Sequence, residues 1–333
     1  MTDLKTIDAK HYVRGHFLGG SDIAGVLGLQ PPRWRSAVQI WERKSTEEVL
    51  PDDVTDKEKR KVLARGQIVE PLVAQMLEVL HGITGATKGN RYIDASYPIF
   101  AAEIDMEIAF KHVAHLFDGR WDSDMVGEDD IVNIEIKTIH PFAAKEWGEE
   151  GTEEVPIHYA AQIFWGLGVT DRRFAICAAL FGADDLVLYP IVRDEETVQT
   201  MRDKAGVFWN EHVTTGIPPA PSNLNDCKIL WGTDDGSTVN ATEDIRSACV
   251  TLNSLSQSRI SYEKGEEGVQ LLIREHMKGS SYLMLDGVEI ATLKETSTHS
   301  VDAAMLKEHF PEAFKQCRRT TTYRRLTIKE KNL

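Results

Sequence analysis

The chain has 333 residues, 42 % of them hydrophobic, a length that suits one large core with a smaller appended domain. Its 52 acidic and 38 basic residues give a formal net charge of −14, which argues against a protein that coats nucleic acid nonspecifically. No apolar run approaches the about 18 residues that would predict a membrane-spanning helix.

The beginning of the chain, residues 1–5, lacks the apolar stretch of a signal peptide and predicts a cytoplasmic protein. Four cysteines are scattered through the sequence without a C-x-x-C pair. This spacing does not indicate a zinc ribbon, an iron–sulfur cluster or a disulfide framework. We expect reduced, structural thiols.

Two helices are predicted near the beginning of the chain. Paired glycines precede Ser21 and Asp22, a pattern typical of a tight turn that opens a helix. The N–H groups of such a turn can bind an anion, and Arg14 lies close enough in sequence to add a guanidinium. An ordinary capped helix explains the same pattern. Residues 36–44 form the second predicted helix.

The apolar spacing over residues 69–80 predicts a further helix. Glu70 lies directly before Pro71, near a kink or a helix start, where its carboxylate can face something other than water. An exposed helical glutamate is the alternative interpretation.

Strands are predicted next, at residues 92–93, 104–110, 120–126 and 131–138, with a hairpin turn over residues 127–130. In the last strand, Glu135 and Lys137 are two residues apart and leave the same face. Asp118 lies upstream, with sixteen residues between it and Glu135. Two oxygen ligands and a lysine at one strand edge fit Mg²⁺ and a phosphodiester; an ordinary ion pair on a solvated strand is the alternative.

The following residues complete an α/β core around one mixed sheet. A helix over residues 156–167 places Tyr159 and Gln162 on one face, strands follow at 174–181 and 186–192, and a helix covers 195–212. The proline-rich residues 218–221 mark a boundary. We therefore predict a core domain over 1–217 and a small α+β extension over 222–333, with one or two helices in 242–277, a hairpin in 282–293, a helix near 301–309 and a strand near 323–328.

These motifs, in this order, resemble the YqaJ / lambda-exonuclease family of viral-type recombination nucleases within the PD-(D/E)XK superfamily. The resemblance runs from about Arg14 to Val192. Its motifs are Arg14 with Gly19-Gly20-Ser21-Asp22, Arg65-Gly66 with Glu70-Pro71, Asp118-Gly119, Glu135-Ile136-Lys137, and Val155-Pro156 with Tyr159 and Gln162. The sequence has Phe117 where the family commonly has a proline, and a longer connection before Glu135.

The resemblance implies a nuclease core with a central mixed β-sheet flanked by helices. It implies that Asp118, Glu135, Lys137 and Gln162 are catalytic, and that Asp118, Glu135, the Ile136 carbonyl and Glu70 bind Mg²⁺, with Mn²⁺ able to substitute. It also implies that Arg14 and Ser21 bind a 5′-phosphate. Asp122 or Asp124 could share the role of Asp118, and the upstream acid of the family's strand is either Asp105 or Glu107.

The implied activity is 5′→3′ digestion of one strand of linear duplex DNA, leaving a 3′ overhang for a single-strand annealing protein. The resemblance also implies a phage- or prophage-encoded protein in the bacterial cytoplasm, without a membrane partner, that can form a trimeric ring. Two alternatives keep the same fold: a metal-dependent endonuclease, and a DNA- or recombinase-binding module without catalysis.

Overall fold

Two units make up the chain in the computed structural model, residues 1–230 and 231–333. The structure describes residues 5–6, 14–31, 34–46, 57–122 and 126–329. In the first unit the helices are α1 (Gly20–Val26), α2 (Ala37–Ser45), α3 (Lys57–His81), α4 (Ile157–Thr170) and α5 (Glu195–Phe208), which continues as a π-helical turn over Trp209–Val213. They are followed by α6 (Leu224–Trp231), at whose last residue the second unit begins.

The described strands of the first unit form two sheets. They are β1 (Lys5–Thr6), β2 (Thr87–Lys88), β3 (Arg91–Ile93), β4 (Ala101–Glu103), β5 (Met106–Ala109), β6 (Ile131–Ile139), β7 (Phe174–Phe181) and β8 (Asp185–Val192). The central sheet has the order β2-β5-β6-β7-β8, in which only β6 and β7 are parallel, and a smaller sheet has the order β1-β3-β4. A central mixed sheet flanked by helices confirms the predicted fold class.

Successive side chains of β6 point to opposite faces of the central sheet, and both faces are covered. The even-numbered residues Val132, Ile134 and Ile136 belong to the same apolar cluster as Val73 and Leu77 of α3. The odd-numbered residues point the opposite way, toward the face where Ile139 shares a cluster with residues of α4. Asn133, Glu135 and Lys137 are therefore a polar stripe in an otherwise apolar interior, facing α4.

The connection between β5 and β6 differs from the predicted hairpin. The segments 120–122 and 126 contain no strand, and β5 pairs directly with β6 instead, with Ala109 opposite Ile131. The connection contains two 3-10 turns, anchored by the buried Phe117, whose ring lies 4.8 Å from that of Phe174. The prediction of a strand at 120–126 is wrong for residues 120–122 and 126, because β5 takes the place beside β6; residues 123–125 lie outside the described part.

The second unit has little interior of its own. It contains α7 (Glu243–Met277), a hairpin of β9 (Tyr282–Leu285) and β10 (Val288–Thr292), α8 (Ala303–His309) and α9 (Pro311–Cys317). The single helix, the hairpin and α8 confirm the prediction, whereas residues 323–328 form no strand. Across the described residues of both units, we find no helix long and apolar enough to cross a membrane.

Candidate functional site

Three side chains form a closed hydrogen-bonded group between β6 and α4. Lys137 donates to a carboxylate oxygen of Glu135 and, at 3.1 Å, to the side-chain oxygen of Gln162. The Gln162 amide in turn donates to the same Glu135 oxygen. Glu135 and Lys137 meet because they are two residues apart on one strand, and Gln162 reaches them from the facing helix. The structure thus brings together three of the predicted catalytic residues.

Asp105 joins this group from the end of β5. Its carboxylate accepts a hydrogen bond of 2.8 Å from the backbone N–H of Ile136. The register places Met106, the first residue of β5, opposite Ile134, so Asp105, the residue before β5, lies beside Glu135. Glu107, the other acid considered from the sequence, instead pairs with Arg172 at 3.0 Å. The strand register therefore directs Asp105 to the group around Glu135 and leaves Glu107 paired with Arg172.

Burial and mutual repulsion shift the pKa values of the carboxylates. Burial raises the pKa of Asp105, and the lysine charge and the Ile136 N–H only partly offset it. For Glu135, burial is again the largest effect; Lys137 lowers the pKa, Asp105 and Glu70 raise it, and the result is about 7. Glu70, half-buried within α3, has its pKa raised by burial and by the charges of Asp105 and Glu103. Three carboxylates that repel one another favour a bound cation.

Burial shifts the pKa of Lys137 in the opposite direction to the pKa values of the carboxylates, whereas the negative charges again raise it. Burial lowers its pKa, but the negative charges of Glu135 and Asp105 outweigh that effect and raise the pKa overall. The side chain therefore remains an ammonium at neutral pH. Its nitrogen lies 5.4 Å from the centre of the Tyr159 ring, so the charge is also held over an aromatic face.

The donors fit a hard divalent cation in their chemistry. Carboxylate and carbonyl oxygens are the ligands that Mg²⁺ prefers. A strand residue directs its N–H and C=O to the same neighbour, so the Ile136 carbonyl lies on the side of β6 where Asp105 is bound. Among the described residues, no three His, Cys, Asp or Glu side chains are close enough to enclose a metal by themselves. Such a site would need this carbonyl, water or substrate oxygens.

Among the described residues, no hydrogen bond or ion pair joins Asp118 to this group. It caps the second 3-10 turn of the β5–β6 connection and is exposed to solvent. The connection leaves β5 at Ala109, opposite Ile131, which is four residues and roughly 13 Å from Glu135 along the strand. Asp105 is the aspartate that hydrogen-bonds to β6 beside Glu135, and the metal-binding role of Asp118 stays a prediction. Asp122 is also exposed in that connection, and Asp124 lies outside the described residues.

The predicted phosphate-binding residues lie in and before α1. Ser21 is exposed in the first turn of this helix. A Cβ on the neighbouring Gly20 would come within 2.9 Å of the Gln162 side chain, so α1 begins directly beside the group of Glu135, Lys137 and Gln162. Asp22 is fixed by an ion pair of 2.8 Å with Lys44. Arg14 belongs to a 3-10 turn over Arg14–His16, and its side chain lies outside the described part.

A second polar network, not anticipated from the sequence, supports the same strand. Arg172 donates to Asn133 at 2.6 Å, to Glu107 at 3.0 Å and to the Tyr92 hydroxyl at 2.9 Å. Asn133 also donates to Thr170, the last residue of α4, at 3.2 Å. This network fixes β6 against α4 at Asn133, two residues before Glu135. No local signal reveals it, because its members come from four separate segments.

Comparison with known proteins identifies a protein family that matches this part of the chain. Residues 11–173 match the family described as the YqaJ-like viral recombinase domain. A curated relative, the uncharacterized protein YqaJ of Bacillus subtilis (strain 168), is 25 % identical over 320 residues, which cover 94 % of this chain and 91 % of the relative.

Two solved structures are similar at lower identity. The alkaline exonuclease LHK-Exo from Laribacter hongkongensis is 15 % identical with a TM-score of 0.42, covering 63 % of this chain and 94 % of that one. A phage-related exonuclease from Haemophilus somnus 129PT is 12 % identical with a TM-score of 0.34, covering 60 % and 96 %. The matched family residues include α1, the Glu70 helix, β5, β6 and α4. Residues 11–173 of this chain therefore form a YqaJ-like viral recombinase domain.

Proposed function

We propose that this protein is a metal-dependent deoxyribonuclease that digests linear double-stranded DNA in the 5′→3′ direction and leaves a 3′ single-stranded overhang. The observation that supports it most is the grouping of Asp105, Glu135, Lys137 and Gln162 at one point of the central sheet. Acidic oxygens beside an ammonium are the groups that phosphodiester hydrolysis requires.

Asp105, Glu135 and the Ile136 carbonyl would hold the metal ion, with Glu70 contributing directly or through water. When bound, Mg²⁺ or Mn²⁺ lowers the pKa of a water molecule and neutralises phosphate charge. Asp105 replaces Asp118 in this assignment because Asp105 alone contacts β6. The hydrogen bond from the Ile136 N–H holds the Asp105 carboxylate beside β6, next to Glu135.

Lys137 and Gln162 act on the nucleophile and on the phosphate. The Lys137 ammonium stabilises negative charge that develops on the phosphate oxygens and orients the attacking water. Gln162 positions that water, since its amide already bridges Glu135 and Lys137. The ammonium carries out this role without deprotonation, because the surrounding carboxylates keep it charged.

The first turn of α1 would select DNA ends. Ser21 in this turn, together with Arg14, would bind the terminal 5′-phosphate; a Cβ on Gly20 in the same turn would come within 2.9 Å of Gln162. The N–H groups of this turn face the same anion. A contact between the phosphate-binding turn and a catalytic side chain keeps the distance from the DNA end to the scissile bond constant.

The product would pass to a single-strand annealing protein in a phage- or prophage-type recombination pathway in the bacterial cytoplasm. A trimeric ring would reconcile the formal net charge of −14 with DNA binding, because basic residues could line its central channel. The partner and the ring follow from the family alone.

The test compares linear 5′-phosphorylated duplex, linear 5′-hydroxyl duplex and covalently closed circular DNA, each with Mg²⁺ and with EDTA. We expect metal-dependent loss of the linear substrates only, faster with the 5′-phosphate. Cutting of the closed circle would instead identify an endonuclease. Binding of all three without cleavage would identify a DNA-binding module.

A further inference from the structure

An aromatic surface lies beside the catalytic group. It consists of Trp34, His158 and Tyr159, called here the aromatic cluster. The Trp34 ring meets the His158 ring edge-on at 4.8 Å and the Tyr159 ring at 5.7 Å, and the rings of His158 and Tyr159 are 4.1 Å apart. Trp147 supports Tyr159 from behind at 5.5 Å and packs in turn on Tyr189.

The aromatic cluster adjoins the reacting groups. Tyr159 lies under the Lys137 nitrogen, 5.4 Å from its ring centre, and Gln162 follows Tyr159 on the same helix. Burial lowers the pKa of His158, and the positive charge of Lys137 lowers it further, against the effect of Glu146. The imidazole is therefore neutral, as suits stacking against a neutral ring.

The cluster also remains open to solvent. Trp34, His158 and Tyr159 are each only half-buried, in contrast to Trp165, which is 1 % exposed in the interior. The ring nitrogens of His158 form no hydrogen bond with any residue that the structure describes. An imidazole that packs on aromatic rings and leaves both nitrogens available is suited to binding a ligand with a π-face.

We propose that the aromatic cluster stacks an unpaired nucleobase of the DNA strand being cleaved, next to the scissile phosphate. This proposal rests on the proposed function and adds a ligand contact to it. Aromatic side chains bind bases irrespective of sequence because every base has a π-face. Stacking would hold the terminal nucleotide out of the duplex while Lys137 contacts the scissile phosphate on its 3′ side.

The experiment uses the full chain carrying Glu135→Gln, which prevents cleavage. The probe is a 5′-phosphorylated duplex whose 5′-terminal nucleotide is a mismatched 2-aminopurine, in the presence of Mg²⁺. A second duplex carries the mismatched 2-aminopurine at the 3′ end of the complementary strand. We expect binding to quench the 5′ probe and to leave the 3′ probe unchanged.

Adding Trp34→Leu should abolish the quenching and weaken binding by roughly 5- to 150-fold, the range for loss of one base–aromatic stack. Trp34→Phe keeps a π-face and should retain most of the quenching. Tyr97→Leu is the matched control: Tyr97 is 51 % exposed and stacks on Phe100 at 5.3 Å, away from the catalytic residues, and should change neither signal.

Normal quenching by a folded Trp34→Leu variant would overturn the stacking proposal and leave the nuclease proposal intact. Should Trp34→Leu fail to fold in a thermal melt, His158→Leu and Trp34→Phe provide the same comparison. Quenching of the 3′ probe alone would assign the stack to the other strand and overturn the proposal as stated. Absence of DNA binding by the Glu135→Gln parent would overturn both proposals together.

Discussion

Lys137 contacts a carboxylate, an amide and an aromatic ring at once, so its removal affects charge without emptying the core. We predict that Lys137→Ala keeps the fold and DNA binding but lowers the single-turnover cleavage rate by about 10²- to 10³-fold, the usual effect of losing one charge-stabilising donor. Glu135 tolerates the loss because its raised pKa lets it accept a proton. Lys111→Ala, at an exposed ion pair with Asp129, is the control, and an unchanged rate in Lys137→Ala would remove this lysine from the mechanism.

Asp105 and Asp118 offer a direct comparison of two aspartates. We predict that Asp105→Asn reduces cleavage by at least about 10²-fold and weakens metal binding in calorimetry, because a neutral amide replaces a charged oxygen ligand. Asp118→Asn, on an exposed turn, should leave both close to wild type. The reverse result would return the catalytic role to Asp118.

At the scale of elements, a buried carboxylate joins two helices. Asp226 of α6 accepts hydrogen bonds from Ser36, which caps α2, and from the backbone and hydroxyl of Ser222. Burial raises the pKa of Asp226, but these donors outweigh burial and lower it overall. The folded state therefore favours the ionised form.

Asp226→Asn replaces one acceptor oxygen by a donor and should lower the free energy of unfolding at pH 7 by about 1–3 kcal/mol. The pKa of Asp226 in the folded state lies below the ordinary aspartate value of about 4. The stabilisation by ionised Asp226 is therefore complete above about pH 4 and is lost as the pH falls through the folded-state pKa. Urea unfolding of both proteins from pH 7 to 3 should show the difference shrinking only below about pH 4. A difference independent of pH would mean that ionised Asp226 does not stabilise the fold.

Most elements could be predicted because their signals are local. The Ser36 cap and the alternation of β6 fix α2 and the central strand directly from neighbouring residues. The contact of Asp105 with β6 could not be predicted in this way, because it depends on which residues lie opposite β6. The prediction for Asp118 followed from its match, together with Gly119, to a family motif. The register places Asp105, which precedes β5, beside Glu135.

At the scale of the whole molecule, the two units differ in how much they bury. All three apolar clusters of the described residues lie between Leu18 and Val213. In the described part of the second unit, Met277 is the only buried residue, although α7 alone spans 35 residues. The second unit therefore depends on little hydrophobic burial of its own.

We predict that a fragment of residues 1–230 unfolds cooperatively on heating, with a sharp thermal transition. A fragment of residues 231–333 should show helical circular dichroism that declines gradually, since an isolated helix without a packed face melts over a broad range. Separate preparation of the two fragments and thermal melts of each would check this. A sharp transition in the second fragment would show an independent core.

The connection between β5 and β6 has a practical consequence for labelling this protein. It begins at the end of β5 opposite to Asp105, and the residues 127–130 within it are exposed. Its length can therefore change without altering the register that joins Asp105 to Glu135. A fluorophore or short peptide epitope introduced at 127–130 would report on the protein in single-molecule experiments while leaving Asp105 and Glu135 in place.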